Sequence, residues 1–353
     1  MTADVLQQLT AEAAAVAHRG GADCACDVAM TLADRPDAVV VRHAGAVAKA
    51  HDPHTDPAEL ALRLALATRH PDILLAPLAP APVALHDRLV TLWPYGTPVS
   101  ADDPDAAPWE AAAGLLARLH RIPAADPAPT DRTPGAPCAL PDGAFAFPAP
   151  RGPMAATLFP AAATPPPMRG PAKAARAVAR LRAALAAAPA PHPAAPPILR
   201  AWAALPAWAR AEAPMTGATT VCHGDLHLGQ LVRHPSPDGP WRLIDVDDLG
   251  VGAPAWDLAR PAAWYACGLL PPDEWTRFLS AYRATGGPAV PADGDPWPAL
   301  DVPARALTVQ TAALFLAKAL AAGRELDEVE RCLVDACDRM DSVPAEFSHA
   351  IPK

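Results

Sequence analysis

The 353-residue sequence contains no asparagine and only four lysines, beside 25 arginines. With abundant alanine and 46 prolines, this bias is typical of high-GC coding pressure, under which lysine is replaced by arginine. A lysine retained within a strand is therefore more informative than usual, and Lys49 fits that description. The absence of asparagine also leaves glutamine as the only side-chain amide for any role that needs one.

Long apolar runs and surplus positive charge are missing as well. No run of about 18 uncharged apolar residues occurs, so we expect no membrane-spanning helix. The 29 basic and 38 acidic residues give a net charge of −9, which argues against a polybasic nucleic-acid binder, and the 51% hydrophobic content argues against a disordered chain. We therefore expect neither a nucleic-acid nor a membrane partner.

The sequence also lacks the features of an exported protein. Its first residues show no basic start, apolar core and small-residue cleavage site. The seven cysteines are odd in number, which favours reduced thiols over a disulfide framework. We expect a cytoplasmic protein.

Residues 1–94 show the pattern of a small sheet with one main helix. Residues 4–18 have helical periodicity, and residues 24–51 alternate in short segments that predict a three-stranded meander. Asp56 followed by Pro57 is typical of a helix start, with aspartate as the N-cap. Two further apolar runs end at the breaker Pro94-Tyr95-Gly96, which predicts the end of the first lobe.

Residues 95–353 predict a larger, mainly helical second lobe. Pro108 precedes a strongly helical segment, and helical patterns resume at 172–188, at 196–212 and after Ala262. Between them, residues 122–170 are rich in proline and alanine, which predicts a long irregular insertion. The whole chain is thus expected to be an α+β protein of two lobes.

Polar residues concentrate in the segment 219–261. Ser236-Pro237-Asp238-Gly239 is a turn signature between two strand-like flanks and predicts a β-hairpin. If Ser236 pairs with Gly239, Gln230 lies opposite Asp245, and a bulge would shift this register by one residue. An amide oxygen and a carboxylate converging in this way form a donor set that Mg²⁺ prefers. Asp225, just before the hairpin, can point into the same space as a base toward a hydroxyl group.

Three motifs in order, HGDLHLGQ (223–230), IDVDD (244–248) and GAPAWDLA (252–259), resemble the aminoglycoside phosphotransferase family, relatives of the protein kinases. The HGDLHLGQ form is also similar to that of bacterial maltokinases in the same superfamily, although their acidic continuation after the I-D pair is not matched. The resemblance spans about residues 20–340 and implies a bilobal protein-kinase-like fold. It further implies an enzyme that uses ATP and Mg²⁺ and phosphorylates a small molecule.

By this resemblance, Asp225 matches the catalytic aspartate that orients or deprotonates the acceptor hydroxyl. Asp245 matches the aspartate that chelates Mg²⁺, and Gln230 takes the position where the family usually has an asparagine ligand. Lys49 matches the strand lysine that holds the α- and β-phosphates, and Glu59 is its expected ion-pair partner, the alternative being a first-turn acid that complements the helix dipole.

The other assignments surround these. Trp93 and Tyr95, in the hinge 93–96, are expected to lie against adenine, and the turn Arg35–Asp37 against the phosphates. His223 is expected to anchor the catalytic loop, and Asp257 to accept backbone donors from that loop.

His227 and Asp248 are candidate substrate-binding residues. His227 could instead buttress the loop. For Asp247 and Asp248 we consider two roles, extra metal or substrate ligands and a solvated acidic turn.

The resemblance leaves the acceptor open. We favour a natural-product antibiotic of the aminoglycoside, nucleoside or peptide type, as in resistance or self-resistance. The alternatives are a sugar kinase of the maltokinase type and a non-catalytic nucleotide-binding sensor. The acid-rich site (Asp225, Asp245, Asp247, Asp248) would suit a cationic acceptor, but the metal accounts for much of that charge.

Overall fold

The computed structural model describes residues 3–18, 29–35, 37–100, 102–103, 106–124 and 164–340. The structural statements below concern these residues. The predicted strand start at Cys24 and most of the predicted insertion, residues 125–163, lie outside them.

The N-terminal part is an antiparallel five-stranded sheet of order β1-β2-β3-β5-β4 with two helices. Residues of β2 and β3 alternate between buried and half-buried positions, and α1 packs Leu9 against Val39, Val41 and Val90 on one face of the sheet. The meander predicted from alternation is confirmed. These elements are β1 (Met30–Arg35), β2 (Ala38–His43), β3 (Ala46–Ala50), β4 (Val83–Leu85), β5 (Arg88–Pro94), α1 (Ala3–Ala17) and α2 (Pro57–Arg69).

Helix α2 begins where the sequence predicts. The Asp56 side chain accepts hydrogen bonds from the backbone N–H groups of Ala58 and Glu59, at 2.8 and 2.9 Å. Pro57 is the first helical residue, where the missing N–H costs nothing. This cap fixes Glu59 in the first turn, a position that matters for the site described below.

The rest of the described chain is mainly helical, with short strands that carry the polar loops. Strands β6, β8 and β9 form one small sheet, and β7 pairs with β10. The helices are α3 (Trp109–Leu119), α4 (Gly170–Ala187), α5 (Ala195–Ala204), α6 (Ala259–Ala266), α7 (Pro272–Ala284), α8 (Trp297–Ala322) and α9 (Glu328–Met340), and the strands are β6 (Thr97–Pro98), β7 (Thr220–Cys222), β8 (Leu231–Arg233), β9 (Trp241–Leu243) and β10 (Gly250–Gly252).

Helix α8 is the centre of this larger part. It packs against α4, α6 and α9, and it is apolar on most sides, as expected of a helix enclosed by others. The hydroxyls of Thr308 and Thr311 donate to the carbonyls of Ala304 and Leu307, so these two buried hydroxyls have partners. The main core therefore lies around α8.

Hydrogen bonds connect the N-terminal part to the helical part. Leu75 N–H donates to Leu243 O at 2.8 Å and Leu243 N–H to Ile73 O at 2.9 Å, so residues 73–75 run beside β9. The buried Arg63 of α2 donates from Nε to Leu249 O at 2.8 Å. These contacts hold the hairpin of β8 and β9 beneath the N-terminal sheet.

The two-lobed α+β architecture expected from the sequence is confirmed. In the part of the chain that the structure describes, no helix combines the length and the hydrophobicity needed to cross a bilayer.

Candidate active site

The loop between β7 and β8 is held by a buried carboxylate. Asp257 accepts hydrogen bonds from the backbone N–H groups of His223, at 2.6 Å, and Gly224, at 2.7 Å, and lies 2.9 Å from Nε2 of His120. His223 Nε2 donates to Ile244 O at 2.8 Å, which ties the same loop to the end of β9. Both side chains thus make the contacts that a loop-anchoring role requires.

Gly224 is required by its backbone conformation. Its φ is +85°, a region that residues with a side chain rarely adopt, and a Cβ atom there would lie 2.4 Å from Asp248 O. The tight turn brings the loop between β7 and β8 against the segment that follows β9. Asp225 and Asp248 are thereby brought together.

Two cations clamp the Asp225 carboxylate. Lys173 Nζ lies 2.5 Å from Oδ2, and Arg260 Nη2 lies 2.8 Å from Oδ1. Burial by itself would raise the pKa of Asp225, but the two cations outweigh it and lower the pKa below its ordinary value. Asp225 is therefore a carboxylate of fixed orientation at neutral pH.

Lys173 also binds a second acid of this cluster. Its Nζ lies 2.8 Å from Oδ2 of Asp248, whose side chain is 12% exposed. Asp248 is therefore ion-paired and not a member of a solvated turn. This pair connects α4 to both polar loops.

Lys49 of β3 reaches the other end of the hairpin. Its Nζ lies 2.7 Å from Asp245 Oδ1 and 2.8 Å from Asp247 Oδ2. Burial opposes the charge on Lys49, but the two carboxylates outweigh it and raise the pKa of the ammonium group. The same contacts lower the pKa values of Asp245 and Asp247 despite their burial.

His51 is the fourth group of this cluster, beside Lys49, Asp245 and Asp247. Its Nδ1 lies 2.9 Å from Asp247 Oδ1, although the pair lacks good hydrogen-bond alignment, and its Nε2 lies 2.8 Å from Thr91 Oγ1. Asp247 is thus engaged by Lys49 and His51 together. It is a partner of the strand lysine and not part of a solvated acidic turn.

The expected pair between Lys49 and Glu59 is a wrong prediction. Among the described residues, Glu59 pairs with Arg63 at 3.0 Å, one helical turn later, and with Arg169 at 3.5 Å. The cap at Asp56 fixes Glu59 in the first turn of α2, and Arg63 is its i,i+4 neighbour on the same helix face. The charge of Lys49 is balanced by Asp245 and Asp247 instead.

The hairpin has the alternative register, shifted by one residue. Leu231 pairs with Leu243 and Arg233 with Trp241, so Ile244, and not Asp245, follows directly opposite Gln230. The reason is a wider loop, closed by a 2.7 Å hydrogen bond from Gly239 N–H to Pro235 O. Gln230 nevertheless stays beside Asp245, with 3.4 Å between its Nε2 and Asp245 Oδ2.

Asp245 and Gln230 have the chemistry of a Mg²⁺ site. Among the described residues, Oδ2 of Asp245 contacts the amide nitrogen of Gln230 at 3.4 Å, which is long for a hydrogen bond, so this carboxylate oxygen retains capacity for a cation. Asp245 also has a φ of +66°, a strained conformation that concentrates at functional sites. An aspartate oxygen and an amide oxygen, supplemented by water and phosphate, fit the preferences of Mg²⁺.

A cavity of about 240 Å³ lies between the sheet and the hairpin. Apolar side chains line one part of it, and Lys49, Asp245 and Asp247 line another. The predicted hinge residues Trp93 and Tyr95 both border it. The branched aliphatic members of the lining are Leu32, Val40, Val47, Leu75, Val232, Ile244 and Val246.

The hinge is partly used by internal contacts. Tyr95 N–H donates to Gly45 O at 2.8 Å, and the guanidinium of Arg42 lies 3.5 Å from the centroid of the Tyr95 ring. Trp93 is buried and donates from Nε1 to Thr91 Oγ1. Of the predicted phosphate turn, Arg35 borders the cavity, whereas Pro36 lies outside the described residues.

His227 lies between Asp225 and Gln230 along the loop. Its Nδ1 accepts the N–H of Gly229 at 3.1 Å, which caps the short turn Leu228–Gln230. Desolvation lowers the pKa of His227 to about 4; Asp225 opposes this shift, while Arg260 and Lys173 favour it.

Sequence reasoning missed Lys173, Arg260, His51 and His120. Because lysine is rare in this chain, Lys173 could have been singled out on that ground. It lies in a predicted helix and not in a strand, so it was not considered a site residue. Arg260 is one of 25 arginines and gave no such signal.

The chain was compared with known proteins. The model of the Phosphotransferase enzyme family matches residues 28–300. No curated protein matches the sequence significantly.

Solved structures resemble the fold over nearly the whole chain. A candidate aminoglycoside phosphotransferase from Ralstonia eutropha JMP134 is 12% identical, with a TM-score of 0.51, over 100% of this chain and 99% of that one. Choline kinase from Cryptosporidium parvum Iowa II is 11% identical, with a TM-score of 0.52, over 92% and 91%. Macrolide 2'-phosphotransferase MphH from Brachybacterium faecium is 20% identical, with a TM-score of 0.44, over 95% and 97%. All three identities are below 25%, so the likeness to the first two, whose TM-scores exceed 0.5, concerns the fold alone.

Proposed function

The chain belongs to the Phosphotransferase enzyme family and is a small-molecule kinase, and on that premise we propose that it transfers the γ-phosphate of ATP to a hydroxyl group of a natural-product antibiotic. The observation that carries the reaction type is the 2.7 Å contact between Lys49 and Asp245, both of which line a cavity. Asp225, held by Lys173 and Arg260, precedes the hairpin that carries Asp245. A sugar hydroxyl is the alternative acceptor.

The proposal assigns the nucleotide to the cavity between the sheet and the hairpin. Its apolar lining suits a purine ring, and Lys49 supplies a positive charge for phosphate oxygens at the polar end. Residues 1–94 would then bind the nucleotide, and residues 95–353 would supply the catalytic loop and the acceptor site.

Asp245 and Gln230 are the residues proposed to hold Mg²⁺. When bound, the cation neutralises charge on the phosphate groups of the nucleotide. Lys49 lies against the same carboxylate, so it orients Asp245 while it remains available to phosphate oxygens. His51 holds Asp247 and thereby helps to fix the lysine.

Asp225 is the proposed group that acts on the acceptor. The Lys173 and Arg260 contacts keep it ionised and fix its direction, so it can accept a hydrogen bond from the hydroxyl and align the oxygen for attack. The Asp257 contacts fix the preceding backbone. Catalysis here is positioning and electrostatic stabilisation, with no covalent enzyme intermediate.

The test separates acceptor chemistry from nucleotide binding. We expect Asp225→Asn to abolish phosphoryl transfer in a coupled ATP-consumption assay and to leave Mg·ATP affinity in calorimetry little changed, because the carboxylate acts on the acceptor. Asp245→Ala should weaken Mg·ATP binding as well as the rate. Asp238→Asn, at the exposed tip of the same hairpin, is the matched control and should behave as wild type.

More than a tenth of wild-type turnover in Asp225→Asn would remove Asp225 from the catalytic role. Unchanged Mg·ATP affinity in Asp245→Ala would remove Asp245 from the metal site.

A further inference from the structure

A second cavity, of about 220 Å³, lies beside the catalytic loop. Leu226, Leu228 and Pro261 form part of its wall, with Trp109 and Trp264. Trp264 is 36% exposed, which is unusual for so large an apolar side chain in a protein that buries most of its tryptophans. An aromatic side chain at the rim of an apolar cavity is typical of a ligand-binding surface.

Arg260 links this cavity to the reacting end of the site. Its Nη2 lies 2.8 Å from Asp225 Oδ1, its Nε donates to Leu226 O at 3.0 Å, and the side chain lines the cavity. A molecule held in the cavity therefore lies next to the carboxylate proposed to align the acceptor hydroxyl. The cavity is adjacent to Asp225 and does not share the Lys49 end of the nucleotide site.

The charges around this cavity argue against a cationic ligand. Among the described residues that line it, no side chain is a carboxylate and one, Arg260, is a permanent cation. The acids on the Asp225 side of the cavity, Asp225 and Asp248, are already paired with Lys173 and Arg260. The two carboxylates and two cations balance, so no net negative charge remains to attract an ammonium group.

The acids behind Trp109 are engaged too. Glu274 accepts the N–H of the Trp109 indole at 2.9 Å, and Glu110 binds Arg277 through two contacts of 2.6 and 2.9 Å. Neither acid is among the described residues that line the cavity, so the acid-rich character of the motifs, which would suit a cationic acceptor, does not extend to this wall.

We propose that this cavity binds an uncharged aromatic or largely apolar ring of the acceptor, so that the enzyme phosphorylates a hydroxyl on a neutral molecule that carries such a ring and not on a polyammonium sugar or a simple disaccharide. This assignment rests on the proposed phosphotransfer and names its acceptor class. The indole of Trp264 covers one face of the ring, and Arg260 sets the hydroxyl beside Asp225.

The test compares acceptors of different charge and polarity in the full-length protein. Four acceptors are compared at saturating Mg·ATP, with the product identified by mass spectrometry. Two are neutral ring alcohols, a nucleoside antibiotic and a polyketide alcohol, and the other two are the cationic kanamycin and the neutral sugar maltose. We expect kcat/KM for the neutral ring alcohols to exceed that for kanamycin and maltose by at least about tenfold.

Trp264 variants connect the preference to the cavity. We expect Trp264→Ala to raise KM for the ring alcohol by about tenfold or more while KM for Mg·ATP stays within about twofold, and Trp264→Phe to restore the acceptor KM. Trp264→Glu, at the exposed rim, should lower the KM for kanamycin because it adds the carboxylate that the wall lacks.

The outcomes distinguish the two proposals. ATP consumption that Asp225→Asn leaves intact would overturn the phosphotransfer itself. Asp225-dependent transfer with a higher kcat/KM for kanamycin or maltose, no transfer to any neutral ring alcohol, or an unchanged acceptor KM in Trp264→Ala would overturn the acceptor assignment.

Discussion

Removal of the Asp257 carboxylate should be among the most damaging single changes outside the reacting groups. Its side chain is fully buried and receives three donors: the N–H groups of His223 and Gly224 and Nε2 of His120. Asp257→Ala leaves these donors without a partner, and each buried unsatisfied donor costs about 1–3 kcal/mol. Partial relaxation lowers the sum, so we expect a loss of about 3–5 kcal/mol in the free energy of unfolding, as for a broken buried pair.

Asp257→Asn refines the argument. Asparagine keeps one oxygen, enough for the two donors at the Oδ2 position, but it sets an amide nitrogen against the third donor, Gly224 N–H. We expect a loss of about 1–3 kcal/mol, the cost of one orphaned donor. We therefore expect the free energy of unfolding to decrease in the order wild type, Asp257→Asn, Asp257→Ala.

Urea unfolding followed by circular dichroism measures both values, with unchanged m-values as the check that the comparison is valid. The matched control is Asp301→Ala, which removes a half-exposed acid of an i,i+4 pair with Arg305 and should cost about 0.5 kcal/mol or less. A loss below about 1 kcal/mol for Asp257→Ala would refute the reasoning, because the buried donors would then have found other partners.

Three further predictions concern other parts of the chain. The contacts with Arg324 lower the pKa of Glu330 to about 2, and burial opposes this shift only weakly. The ionised Glu330 therefore stabilises the fold above its unfolded pKa, and this stabilisation is lost as the pH falls toward 2. Glu330→Gln should be less stable than wild type at pH 7 and equal to it near pH 2 in thermal melts. Gly224→Ala should abolish turnover while a folded circular-dichroism spectrum persists, because its Cβ would displace the loop from Asp248; wild-type turnover would contradict this. Gln230→Asn should retain partial activity, and Gln230→Leu should retain much less. Equal rates for Gln230→Leu and wild type at limiting Mg²⁺ would show that Gln230 has no part in metal binding.

The failed assignment of Glu59 shows where reasoning along the chain ends. Glu59 was the only glutamate between residues 13 and 109, so the sequence offered no other candidate of that type near Lys49. Position in the helix decided otherwise, since the first turn of α2 faces Arg63 and Arg169. Asp247, 198 residues away from Lys49, provides the second carboxylate instead, and spacing does not reveal such a contact.

The sequence by itself determined the elements and the order of the motifs. Period-two alternation and the Asp56–Pro57 start predicted the sheet and α2, because local hydrogen bonding and patterning set those features. The motifs around Asp225, Gln230 and Asp245 predicted the class of reaction, because the chemistry of phosphoryl transfer restricts the residue types that can serve.

Only the tertiary structure decided how the charges are shared. Lys173 meets Asp225 and Asp248 across separations of 52 and 75 residues, and Arg260 meets Asp225 from another helix. Ion pairs act over a few ångströms and depend on how α4 and α6 pack, which no local pattern encodes. The same packing forms a cavity whose described lining contains no carboxylate, beside sequence motifs that are rich in acidic residues.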